Sequence, residues 1–138
     1  VGVFPEGVRA FQKPFSEAYH VQRFGRGGFV TMAERHAAPV VPVAIVGSDE
    51  VHPALFSSQL LARLVRLIWP AQRVEEMAVY LNLIPLPIRW RIRFLEPVPP
   101  SHAGTDPDPL EMLERTEDIR RLIQHNLNEM LRQRGSAI

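Results

Sequence analysis

The sequence predicts an α/β fold: a partial mixed or parallel sheet flanked by helices, with one long helix at the C-terminal end. Three observations carry this. Val40-Val41-Pro42-Val43-Ala44-Ile45-Val46 is a β-branched run of the kind found in strands buried on both faces. A glycine-rich turn and a short helical pattern precede it, which suggests a crossover between parallel strands. Leu110, Leu113, Ile119, Leu122, Ile123, Leu127, Met130 and Leu131 then form an apolar stripe at helical spacing.

Taken in order, Val1–Phe4 reads as the end of a strand running into Pro5-Glu6-Gly7, where Gly7 permits a bend that a Cβ would resist. The polar stretch Arg9–Arg23, with Lys13-Pro14 inside it, reads as a loop over a site. Gly25, Gly27 and Gly28 lack a following Gly-Lys-Ser/Thr, so they predict a turn and close helix packing rather than a phosphate cradle. Phe29–His36 has apolar positions at Phe29, Val30, Met32 and Ala33 and predicts a helix, ended by Ala37-Ala38-Pro39.

Leu60–Pro70 carries Arg63 and Arg66 on one helical face and apolar bulk elsewhere. Its Leu60–Ile68 part would span only about 14 Å as a helix, too short to cross a bilayer, and reads equally as an ordinary core helix or as one lying in a membrane interface. Val79–Pro87 is apolar but broken by proline, and Arg89–Leu95 alternates charge with bulk as a strand with one wet face. Residues 1–97 form the body of the fold, 98–109 a linker rich in proline and aspartate, and 110–138 an amphipathic helix packed on that body. Asp108-Pro109 suits the opening turn of this helix, and Gly135 its stop.

Composition bounds the function. The 138 residues suffice for one domain, and 46% hydrophobic with 22% charged residues describes a folded chain. A formal net charge of +1 gives no global case for nucleic acid. The absence of cysteine excludes disulfides, thiolate catalysis and zinc–thiolate sites. His52 and His102 are too isolated to form a metal site with Asp49 or Asp106, so no metal is expected. His36 suits a helix cap or the surface, and His20 lies where it could touch a substrate.

Three ordered blocks, Phe4-Pro5-Glu6-Gly7-Val8-Arg9, Phe24-Gly25-Arg26-Gly27-Gly28-Phe29 and Ala38-Pro39-Val40-Val41-Pro42-Val43-Ala44, resemble the glycerolipid acyltransferases. This is the family of lysophosphatidic acid acyltransferases and related membrane-bound enzymes. The first block is similar to its Phe-Pro-Glu-Gly-x-Arg motif and the last to its proline-flanked apolar block. The resemblance covers Val1 to about Pro53 well and Trp90–Pro97 loosely.

It implies that Arg9 holds the phosphate of an acylglycerol phosphate and that Glu6, on the bend made by Gly7, orders the acceptor site or bonds an acceptor hydroxyl. Membership of a membrane-bound family would also imply the interface reading of Leu60–Ile68. Lys13 and Arg26 are candidate second cations, and Pro42 would shape the strand beside the acyl-donor pocket. The implied partners are a lysophospholipid or other acylglycerol, acyl-CoA or acyl-carrier protein as donor, and a membrane surface at the cytoplasmic face. No cofactor is implied.

Two departures from the family pattern stand out. Val8 and Ala10 occupy positions where many members carry threonine and serine. The family's catalytic histidine is followed five residues later by aspartate, whereas Gly25, Val41, Ser57, Pro107 and Met130 follow His20, His36, His52, His102 and His125. The expectation is therefore the C-terminal part of an acyltransferase, inert alone, with its His/Asp pair upstream of Val1. The competing expectation is a non-catalytic lipid-binding or membrane-associating protein that has lost the pair.

Overall fold

The computed structural model describes residues 1–7, 10, 13–25, 27–51, 54–58, 63, 67, 77–80 and 84–134, with the backbone alone at 54–58 and 77–80. A 3₁₀ turn at Phe15–Glu17 comes first. Helix α1 follows at Gly28–Arg35, then strand β1 at Val43–Val46, the one-turn helix α2 at Ser48–Val51 and strand β2 at Ala54–Ser58. Strands β3 at Met77–Tyr80 and β4 at Arg91–Phe94 lead to the long helix α3 at Pro109–Arg132.

The mixed α/β character holds, but the strand pairing differs from expectation. β1 pairs antiparallel with β4, Val43 opposite Phe94 and Val46 opposite Arg91. A bridge between Val40 and Val98 extends the ladder. β2 pairs antiparallel with β3 in a second two-stranded sheet. Among the described residues no parallel pair occurs, so the predicted crossover to β1 is not formed there. Val1–Phe4 is also not a strand: Val1, Val3 and Phe4 are exposed. β-favouring residues become a strand only where a neighbour takes up their N–H and C=O groups, and the described residues provide none.

The core lies between α3, α1 and one face of β1. Val30 of α1, Ala44 and Val46 of β1, and Ile119, Leu127 and Met130 of α3 are buried together with Val21 and Phe24. The expectation that β1 is buried on both faces is corrected: Pro42, Ala44 and Val46 are buried, while Val43 and Ile45 are half-buried and Val41 is exposed. Leu110, Leu113 and Leu122 of the predicted α3 stripe are exposed as well. The stripe outruns the covered surface toward the start of α3 at Leu110 and Leu113, and at Leu122, between buried Ile119 and Leu127, it is wider than that surface.

β4 inverts its expected orientation. Arg91 and Arg93 turn toward α3, and Ile92 and Phe94 face outward, 54% and 73% exposed. The arginines find partners at the end of α3. Arg91 donates to the carbonyls of Gln133 (3.2 Å) and Arg134 (3.5 Å), where the helix leaves its C=O groups unpaired and its dipole favours a cation. Arg93 reaches Glu129 at 2.9 Å. At the other end the Asp108 side chain accepts from the amide of Leu110 at 3.1 Å, with Pro109 in the first turn, as the sequence predicts.

The stretch read as a linker is pinned to α1. Glu34, 1% exposed, accepts from the amides of Ser101 (2.9 Å) and His102 (2.8 Å). Arg115 of α3 stands 3.3 Å from the same carboxylate and donates to the Pro99 carbonyl at 2.7 Å. Burial pushes the Glu34 carboxyl upward, but the two amides and the guanidinium outweigh it and hold it below its ordinary value of 4.5. Of Leu60–Pro70, only Arg63 and Leu67 belong to the described residues, and both are exposed. The remainder of that segment, His52 and Gly135 lie outside them.

Candidate functional site

Pro5-Glu6-Gly7 forms a tight turn, closed by the Gly7 amide donating to the Phe4 carbonyl at 3.0 Å. Gly7 has φ +59°, the left-handed region that glycine enters without a Cβ penalty. The turn is tied to a distant segment at two points. Glu6 Oε2 accepts from the Gln22 amide at 2.7 Å, and the Gly25 amide donates to the Pro5 carbonyl at 3.2 Å. The two sequence blocks, 20 residues apart, thus meet side by side.

An open groove of about 870 Å³ borders this junction, formed by Arg23, Phe24 and Gly25 on one side and the Leu113–Arg121 part of α3 on the other. Its walls carry both signs of charge. Arg120 donates to Glu117 at 2.6 Å, and Arg121 approaches the same carboxylate at 3.2 Å. The Arg120 bond, working against partial burial, draws the Glu117 carboxyl down to about 2. Arg23 stands exposed at the rim.

Gly27, the residue before α1, explains how closely the groove's two walls approach. It has φ +65°, and a Cβ there would meet Thr116 Oγ1 at 2.7 Å and Met112 Cγ at 3.0 Å. Gly27 therefore serves the turn and close helix packing that the spacing predicts, while a Cβ at Gly28 would meet open space.

The sequence-predicted site residues separate into groups. Glu6 and Gly7 share the turn beside the groove. Lys13 turns instead to Asp49, its Nζ 2.7 Å from Oδ2 with the side chain only 11% exposed. Pro42 is buried in the β1–β4 ladder, its carbonyl accepting from the Leu95 amide at 2.9 Å. Arg9 and Arg26 lie outside the described residues.

A polar cluster that sequence reasoning missed joins the Lys13–Asp49 pair. Asp49 also accepts from the Tyr19 amide at 2.7 Å. The Tyr19 hydroxyl donates to Glu50 at 2.7 Å and accepts from the Gly47 amide and from Arg134, each at 3.1 Å. Arg134 grips both Glu50 oxygens, at 2.6 and 2.7 Å. Burial, then the bond to Glu50, pushes the Tyr19 hydroxyl up to about 12, so it stays protonated at neutral pH. Burial opposes the ionised form of Glu50, but Arg134 and Tyr19 overcome this and hold its carboxyl below the ordinary value. With each partner engaged, the cluster fastens the Tyr19 bend to α2 and the end of α3. Acidic Asp49-Glu50, separated from β1 by Gly47-Ser48, is the sequence signal that could have flagged it.

His20, His36 and His125 are exposed, and His102 lies 3.2 Å from Glu111 at the surface. Among the described residues no group of three His, Cys, Asp or Glu side chains could hold a metal ion. Among the same residues no helix is long and apolar enough to cross a membrane.

The chain is 45% identical over 132 residues to uncharacterized proteins of Mycobacterium bovis and Mycobacterium tuberculosis, a match covering 94% of this chain and 37% of each relative. An uncharacterized protein of Mycobacterium leprae is 43% identical over the same length, covering 36% of that relative. The chain thus spans little more than a third of the curated relatives it matches. No protein-family model matches it, and no solved structure does.

Proposed function

We propose that this chain is the C-terminal part of an acyltransferase. The whole enzyme would move a fatty acyl group from acyl-CoA or acyl-carrier protein to a hydroxyl of a lysophospholipid or related glycerolipid, at the cytoplasmic face of a membrane. The single observation that supports this most is the junction of the Phe4–Gly7 turn with Gln22–Gly25, since two motifs of one implied acceptor site lie against each other at a groove. A site for an anionic headgroup needs cations held at a fixed place, and the reaction gains mostly from positioning.

In this reading Arg9 is the principal phosphate contact, with its planar fork of donors. Arg26 follows Gly25 directly in sequence, and the exposed Arg23 adds a third guanidinium near the rim. Lys13 contributes through its pair with Asp49 rather than to the headgroup. Glu6, anchored by the Gln22 amide, orders the turn. An upstream histidine, oriented by its aspartate, would take the acceptor hydroxyl's proton; that oxygen attacks the thioester carbonyl and the donor's thiolate departs. The acyltransferase-like sheet, with parallel strands beside β1, belongs to the same proposal.

The test uses the longer protein that carries a His-x-x-x-x-Asp segment ahead of Val1, assayed with palmitoyl-CoA and lysophosphatidate. Arg9→Ala is expected to raise the acceptor's KM on the order of tenfold or more and leave the donor's nearly unchanged, as loss of one charge-assisted contact predicts. Equal changes in both constants would remove Arg9 from the acceptor site. Lipid binding without turnover, in a protein with no such segment, would favour the non-catalytic alternative.

A further inference from the structure

The β1–β4 ladder has two unlike faces. Ala44, Val46, Arg91 and Arg93 turn toward α3, while the opposite face presents Val43, Ile45, Ile92 and Phe94 without a polar side chain among them. Trp90, next to this face, is 54% exposed. An antiparallel sheet with one face in water ordinarily alternates apolar-in with polar-out. Here the outward face has the composition of a core.

We infer that this face is an interface for polypeptide, and that its occupant is the part of the chain that the mycobacterial relatives carry outside the matched region. The match takes in 37% of the Mycobacterium tuberculosis relative, so well over half of that chain is available to cover it. The backbone distinguishes this occupant from a lipid surface. Among the described residues β1 and β4 each pair along one edge only, and the N–H and C=O groups of the other edge need hydrogen-bonding partners when the neighbouring face is covered. Acyl chains offer none, whereas an added strand offers donors and acceptors at the matching repeat. A two-stranded sheet is also marginal alone and becomes stable with further strands or a helix on its apolar face. This inference is independent of the reaction proposed above.

The absence of cysteine from this chain lets a single introduced thiol be followed, and in the relative the label is read at the introduced site by peptide mass. Ile92→Cys and, separately, Phe94→Cys are made in this chain and at the aligned positions of the full-length Mycobacterium tuberculosis relative. Maleimide labelling rates are measured without lipid and normalised to the denatured proteins. The expected result is labelling slowed on the order of tenfold or more in the full-length relative compared with this chain, unchanged on dilution, as packing against the same polypeptide requires. Equal rates in the two proteins overturn the inference. Protection that disappears on dilution assigns the face to a second copy. Protection seen only with phosphatidylglycerol–phosphatidylcholine vesicles assigns it to a membrane. Either result replaces the proposed occupant.

Discussion

Gly27 shows how one missing side chain sets the distance between two helices. Its φ of +65° and the closeness of Thr116 and Met112 each oppose a Cβ. Gly27→Ala is therefore expected to destabilise the protein by about 1–3 kcal/mol through left-handed strain and overpacking, read as a lower urea midpoint. Gly28→Ala, with nothing near its Cβ position, should cost far less, and equal losses would contradict the packing role. The need for glycine at this turn was legible in the sequence. The roles of Tyr19, Glu50 and Arg134 were not, because each is defined by partners on distant segments, 115 residues apart for Tyr19 and Arg134.

At the scale of elements, legibility followed the range of the interactions. α3 announced itself through Asp108-Pro109 and its periodic stripe, and α1 through its preceding glycines and the terminating Ala38-Pro39. These signals are local. The partner of β1 is not, and the β-branched run that predicts a buried strand says nothing of whether its neighbour runs parallel. For β4, the alternation was visible but its inside and outside were exchanged, since the arginines are drawn to the carboxyl end of α3. A double-mutant cycle on Arg93→Ala and Glu129→Ala should yield a coupling of about 0.5–1 kcal/mol, modest because both side chains are partly exposed. Zero coupling would leave Arg93 to act through Asn126, Gln133 and its aliphatic stem.

For the whole molecule, pH is the most direct handle on the buried ion pairs. Glu34 and Glu50 are held below the ordinary value of 4.5 in the folded protein. Their stabilisation is fully present above that value. As pH falls below it, the unfolded chain binds protons that the folded one refuses, so stability declines toward the folded values. The melting temperature should therefore drop as pH falls below 4.5, and Glu34→Gln should lower it at neutral pH while flattening the acid limb. An unchanged acid limb would mean that Glu34 is not among the groups that titrate on unfolding. The candidate site is legible in part at this scale: Glu6 and Gly7 were readable as a turn, but its contact with Gln22–Gly25 required the fold.

The anchoring of Tyr19–Val21 has a consequence during synthesis. Gln124 accepts from the Val21 amide and donates to the Tyr19 carbonyl, bonds that bridge 103 and 105 residues. A ribosome adding about 5–20 residues per second makes Gln124 roughly 5–20 s after Val21, with further delay in the exit tunnel. Through that interval the nascent segment holding Val21 and Phe24 has no α3 to shelter it, so a holding chaperone would act on this chain before α3 emerges rather than after.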